Sequence, residues 1–228
     1  MHGRGPAIHS IRCTVQTLII TPEATQLGLV ATHSVIEARV PVSLGAAFDE
    51  LRRTTCLHLA NLYTPEFVAH DPILQGFREL RKAVGRSSRK YPCSIEGLIS
   101  YLHRRGELPT IHPIVDIYNL VSLETRLTLG AHDLDQVDGD ITLRLVACNE
   151  TFIPLGATAS ESVPAGEYAY VDDAGDILCR MDYKQCDKTK LTAETVRCLV
   201  ILQGNANTAI AVLGRAKAKL DKLMAEFI

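Results

Sequence analysis

Apolar residues return along this chain in two rhythms. Near the start, and again beyond residue 140, they alternate or run together over short stretches, the pattern of strands; between about 42 and 126 they return every three or four residues, the period of a helix face. Cys13, Val15, Leu18, Ile19 and Ile20 predict a strand over Ile11–Ile20 ended by a turn at Thr21-Pro22, and Leu27–Val35 predicts a second strand. Residues 1–10 read as a flexible arm. A helix is expected over Val42–Leu62 with Ser43 as its cap. Another is expected over Asp71–Val84, where Asp-Pro supplies an N-cap and a favoured first residue. A third over Ser94–Arg105 is stopped by Gly106. A fourth, over Val115–Arg126, is mostly apolar but carries a polar seam.

The second half predicts strands at Ile141–Ala147, Tyr168–Val171 and Ile177–Met181, the last two joined by the turn residues of DDAGD. Val196–Leu202 is a nearly unbroken apolar run, as in a central strand covered on both faces. Asn207–Phe227 is an amphipathic helix with Lys217, Lys219 and Lys222 on its polar side.

Composition narrows the function only slightly. Of 228 residues, 46% are hydrophobic and 22% charged, enough apolar material for one sizeable core. A net charge of −2 gives no global attraction to nucleic acid, so any RNA contact has to come from a local basic face. Such a face is present: Arg78, Arg81, Lys82, Arg86, Arg89, Lys90, Arg104 and Arg105 meet only Glu79 and Glu96 between residues 78 and 105. It reads either as a solvated surface or as a phosphate-binding one, and RSSRKY, with hydroxyls and Tyr91 among the bases, suits a nucleic-acid backbone. The seven cysteines show no paired spacing and several sit inside apolar runs, which points to a reducing, cytoplasmic setting. The one N-terminal apolar run, TLII, is too short for a signal peptide or membrane span.

Candidate chemistry centres on the polar-seamed helix. Asp116, Asn119 and Ser122 lie at i, i+3 and i+6, while Tyr118, Ser122 and Thr125 share another edge. This is either a pocket wall or a set of satisfied structural hydrogen bonds; Asn119 is the favoured functional residue because an amide both donates and accepts. His112 before the helix and His132 in the glycine-containing turn after it are candidates to orient water or hold a substrate hydroxyl. Asp133, Asp135, Asp138 and Asp140 lack the spacing of a calcium loop and read as a solvated turn, so no metal or cofactor is expected. No activated-nucleophile motif, zinc signature or phosphate-binding loop is present.

The succession from VDIYNLVSLETRL through LGAHDLDQVDGD, ITLRLVACNETFIPLG and GEYAYVDDAGDILCR to DKTKLT resembles the tRNA-editing B3/B4 domain of the phenylalanyl-tRNA synthetase beta subunit. The resemblance runs from about Ile95 to Gln203 and more loosely over the whole chain. It implies an α+β fold, with a mixed, partly open barrel-like sheet and helices around it. It also implies one domain: arm 1–10, strands and helices 11–106, pocket-bearing core 107–203 and C-terminal helix 207–228. The implied activity is hydrolysis of the ester bond of a mischarged aminoacyl-tRNA, with tRNA as partner and no membrane. In the synthetase, a Val-Asp-Val-Thr-Asn segment contributes to the editing pocket; here VDIYN aligns with it, placing Tyr118 at the Thr position and retaining Asn119. Gly130 falls where the synthetase has a pocket histidine, and Lys188 near the Glu that recognises a tyrosine hydroxyl, so selection of tyrosine is not carried over. The expected site therefore comprises Asn119, His112 and His132 for chemistry, and Tyr118, Ser122, Glu124, Arg180, Asp187 and Lys188 for substrate. Arg86, Arg89, Lys90 and Arg105 are expected to meet RNA phosphates. The charged segment Arg180–Thr189 suggests a polar amino acid as substrate. Two other readings stay open: a non-catalytic tRNA- or protein-binding module, and an enzyme or sensor for free amino acids.

Overall fold

Asp71 shows how local chemistry places the helices: its carboxylate accepts from the Leu74 backbone N–H at 3.0 Å while Pro72 takes the first helical position. The computed structural model describes residues 17–41 and 43–228. In chain order the elements are β1 (Leu18–Ile20), α1 (Pro22–Gln26), β2 (Val30–Glu37), α2 (Gly45–Leu62), α3 (Pro65–His70), α4 (Pro72–Ala83), α5 (Ser94–Arg105) and α6 (Pro113–Thr125). They continue with β3 (Thr128–Asp133), β4 (Ile141–Leu145), β5 (Glu150–Phe152), β6 (Glu161–Val163), β7 (Tyr168–Asp172), β8 (Ile177–Arg180), β9 (Lys184–Gln185), β10 (Arg197–Gly204) and α7 (Ile210–Phe227).

Three sheets result, ordered β1-β4-β7-β8-β9, β2-β10-β3 and β5-β6. β1 runs parallel to β4 and the other named pairs are antiparallel, so the architecture is α+β with mixed, partly open sheets and no closed barrel. The apolar run at β10 is the central strand expected: Cys198 to Asn205 are all buried, with β2 on one side and β3 on the other. α7 lies against α6 and β2. Two of its three lysines are tied to carboxylates: Lys217 to Asp221 at 2.7 Å and Lys219 to Glu124 at 2.5 Å.

Several expectations change in detail. The predicted arm 1–10, and the part of the first predicted strand that holds Cys13 and Val15, lie outside the described residues, as does Val42. Thr21-Pro22 opens a short helix rather than a turn, because the Thr21 hydroxyl accepts from Ala24 N–H at 3.3 Å. α2 starts at Gly45 after Leu44, and the Ser43 hydroxyl accepts only from Gly45 N–H at 3.2 Å. His132 stands on β3, not in a turn: the segment after α6 pairs along β10 from Thr128–Gln203 to Asp133–Cys198. Between Asp133 and Asp140 the chain makes a short 3-10 turn over Leu134–Gln136. Asp133 accepts there from Asp135 N–H at 3.0 Å and from the Thr195 hydroxyl at 2.6 Å.

Candidate functional site

β3 and β10 present one shared face, because the register sets His132 opposite Leu199, Gly130 opposite Ile201 and Thr128 opposite Gln203. Over this face lies a cavity of about 250 Å³. Its remaining walls include Tyr118 of α6, Tyr170 of β7, Cys179 of β8, Ser94 of α5 and the stretch Asp182 to Gln185. A second, larger cavity of about 610 Å³ adjoins it, with Tyr118, Leu155 and Gln185 lining both. Ile111, His112, Pro113, Val115, Leu191 and Thr192 belong to this outer space, and Ile111 and Leu155 there are strongly exposed apolar residues. Tyr118, only 9% exposed, thus stands between an inner and an outer chamber.

Beneath the inner cavity is a buried polar network. The Arg81 guanidinium donates to the Tyr91 carbonyl at 2.9 Å and also to the Tyr168 hydroxyl and Asp182 Oδ1. Tyr168 in turn donates to Asp182 Oδ1 at 3.0 Å. Burial is the largest single influence and opposes the charge on Arg81, but Asp182 and Tyr168 together outweigh it and hold the pKa above the usual arginine value. Asp182 Oδ2 and Gln203 Nε2 are buried without a partner among the described residues, although the Tyr170 hydroxyl donates to Gln203 Oε1 at 2.6 Å. Burial lowers the His132 pKa to about 4, so its imidazole is neutral near pH 7, and pushes the Cys179 thiol up to about 12, so it is no thiolate.

The expected residues separate into two groups. Tyr118 and His132 line the inner cavity, and His112 lines the outer one, with both ring nitrogens buried and unpartnered among the described residues. Asn119, 7% exposed on the next position of the helix, lines neither chamber. Ser122 donates to the Leu127 carbonyl at 2.6 Å, and Asp116 accepts from Ile111 N–H at 2.8 Å, so this part of the seam closes the two ends of α6. Glu124 faces Lys219. Arg180 is engaged with buried Glu167 at 2.6 and 2.8 Å, and Asp187 with Lys190 at 2.8 Å and Gly156 N–H at 3.0 Å. Lys188 places its ammonium among Asp138, Asp172 and Asp176, at 2.9, 3.4 and 2.6 Å, filling the space between three carboxylates that lie close enough to hold a cation. These three charged residues line neither chamber; Lys184 and Asp182, from the same segment, line the inner one.

Of the basic residues, Arg86 also binds Glu167, where burial would raise the carboxyl pKa but hydrogen bonds from Arg180 and Arg86 prevail and lower it. Arg89, Lys90 and Arg105 are exposed. The Lys90 ammonium lies 5.7 Å from the centre of the Tyr91 ring, and Tyr91 packs edge-on against Tyr183 at 5.5 Å, itself a wall of the inner cavity. Arg105 ends α5, whose first residue, Ser94, lines the cavity, so it stands about 17 Å further on. Sequence reasoning missed Gln203, Tyr170 and Cys179. Gln203 had a readable signal, as the polar residue that ends the apolar run of β10.

The fold and its walled cavity define a class of α+β protein built around an internal chamber. A family model described as B3/4 domain matches residues 77–221, and the chain belongs to that family. It is 43% identical over 47 residues to a phenylalanine–tRNA ligase beta subunit of Legionella pneumophila (strain Lens), which covers 21% of this chain and 6% of the relative. A beta subunit of Photorhabdus laumondii is 42% identical over 55 residues, covering 24% and 7%. The solved N-terminal fragment of the Pyrococcus horikoshii phenylalanyl-tRNA synthetase beta subunit superposes with a TM-score of 0.50 at 10% identity, covering 94% of this chain and 49% of the fragment. The matches thus cover only 6–7% of the two ligase subunits and about half of the solved fragment. Among the described residues no helix is long and apolar enough to cross a membrane.

Proposed function

We propose that this protein hydrolyses the ester linkage of a mischarged aminoacyl-tRNA, admitting the aminoacyl group to the inner chamber past Tyr118. One observation carries the reading: the exposed bases Arg89 and Lys90 precede Tyr91, which packs on Tyr183 of the cavity wall, so a basic loop borders the chamber. The outer chamber, apolar and continuous with the inner one through Tyr118, Leu155 and Gln185, suits the nucleoside end of such a substrate. Arg105 extends the basic track along the RNA, while Arg86 holds Glu167 and with it the loop.

The chemistry asked of the protein is modest. An aminoacyl ester is intrinsically reactive, so holding a water and supplying donors to the carbonyl oxygen contributes most of what is needed. A protonated Cys179 fits hydrolysis by water rather than through a thioester intermediate on that residue. In this reading His132 and Tyr118 of the inner chamber meet the reacting group, with His112 at the outer chamber. Asp182, Lys184, Gln185 and Gln203 favour a polar amino acid. The free thiols of the described cysteines suit a reducing cytoplasm. Deacylation measured against a panel of mischarged tRNAs tests the reading: turnover of a polar aminoacyl-tRNA is expected, and tRNA binding without turnover of any substrate would mark a non-catalytic module instead.

A further inference from the structure

His132 is linked through its ring to a short buried chain. Its Nδ1 lies 2.7 Å from the Thr189 hydroxyl, and that hydroxyl lies 3.1 Å from the Cys186 sulfur. All three residues are buried, His132 to 2%, Thr189 to 0% and Cys186 to 3% exposure. The Thr189 hydroxyl has a single proton to give, and two arrangements use it within the chain. In one, Thr189 donates to the sulfur and accepts from Nδ1–H, leaving Nε2 with a lone pair. In the other, the Cys186 thiol donates to Thr189, Thr189 donates to Nδ1, and Nε2 carries the proton.

The distance fits the second. A separation of 2.7 Å is the usual length for a hydroxyl donor and the short limit for a ring N–H donor. The second arrangement also uses the hydroxyl proton on the stronger acceptor, nitrogen rather than sulfur. We propose that Thr189 and Cys186 are positioning residues that fix His132 as the Nε2–H tautomer, a neutral hydrogen-bond donor serving the inner chamber.

This rests on the hydrolytic reading for its consequence, though not for the tautomer itself. During hydrolysis the water oxygen bonds to the acyl carbon, the bond from that carbon to the ribose oxygen breaks, and the ribose oxygen leaves with a proton that came from the water. Negative charge gathers on the carbonyl oxygen as the first bond forms, and an Nε2–H donor stabilises it without having to ionise. His132 then acts as an electrophile and not as the base.

Nitrogen-15 NMR of histidine-labelled protein reads the tautomer directly. Wild type is expected to show His132 protonated at Nε2; Thr189→Val should shift the signal toward a mixture of tautomers and Thr189→Ser should restore it. Deacylation should follow, falling roughly tenfold to a hundredfold in Thr189→Val and returning in Thr189→Ser. A Nδ1–H tautomer in wild type overturns the assignment, as does a tautomer that Thr189→Val leaves unchanged in a folded protein. Should the Nε2–H form be found and no aminoacyl-tRNA be hydrolysed, the tautomer assignment stands and the hydrolytic reading of the cavity falls.

Discussion

Gly130 and His132, two residues apart on β3, line the same cavity and face Ile201 and Leu199 of β10. A Cβ built on Gly130 meets nothing within 4 Å, so the wall beside the histidine is open where any other residue would place a side chain. Gly130→Ala should therefore change stability by no more than about 0.5 kcal/mol. Gly130→Leu should fill the chamber, abolishing deacylation while the thermal midpoint stays within a few degrees of wild type. Turnover at the wild-type rate in the leucine variant would mean that the substrate uses another space.

His132 also ties stability to pH. Its pKa is about 4 when folded and returns to about 6.5 on unfolding, so between these values the unfolded chain binds the extra proton. Stability is full above pH 6.5 and falls as pH drops toward 4, by about 3 kcal/mol from this group. His33 and His112, both lowered chiefly by burial, act in the same direction. Urea midpoints of wild type and His132→Gln, compared from pH 7.5 to 4.5, isolate the contribution of His132: the variant should lose less stability on acidification. Parallel pH curves would show that the His132 pKa does not differ between the folded and unfolded states.

The contrast between β10 and the site explains what a sequence reading reaches here. The unbroken apolar run at β10, the Asp71-Pro72 start of α4 and the Gly106 stop of α5 are local signals acting on the residues that carry them, and they predict these elements closely. β3 was missed because the polar residues His132 and Asp133 at its end disguise a strand whose identity comes from pairing with β10, about seventy residues away in sequence. The site fails for the same reason. Tyr118 and His132 were legible near the helix, but Arg180, Asp187 and Lys188 look like pocket residues until the fold brings them Glu167, Lys190 and the three aspartates. Charge density in a segment does not say where its partners come from.

Arg81 and Asp182 form a buried pair, with side chains 1% and 3% exposed, beneath the cavity. Removing either partner leaves a desolvated charge, and Arg81→Met alone should cost about 3–5 kcal/mol. Replacing both, as Arg81→Met with Asp182→Leu, should recover much of that loss because no buried charge remains. A double-mutant cycle in urea checks this; additive losses would show that Arg81 and Asp182 contribute independently and that the pairing carries no coupling energy.

The basic residues divide by what they already hold. Arg89, Lys90 and Arg105 are exposed, whereas Arg86 is committed to Glu167, a carboxylate with no exposed side-chain surface. If the loop bordering the cavity binds tRNA phosphates, Arg89→Ala and Lys90→Ala should each weaken tRNA binding and reduce the slope of log K against log salt by about 1. Arg105→Ala should do the same, at the far end of α5. Arg86→Ala should instead lower the thermal midpoint, since Glu167 keeps only Arg180 as a partner. Binding measured across a salt series, beside thermal melts, separates the two effects. Unchanged salt slopes in all three exposed-residue variants would reduce the basic face to a solvated surface and remove the RNA from the proposal.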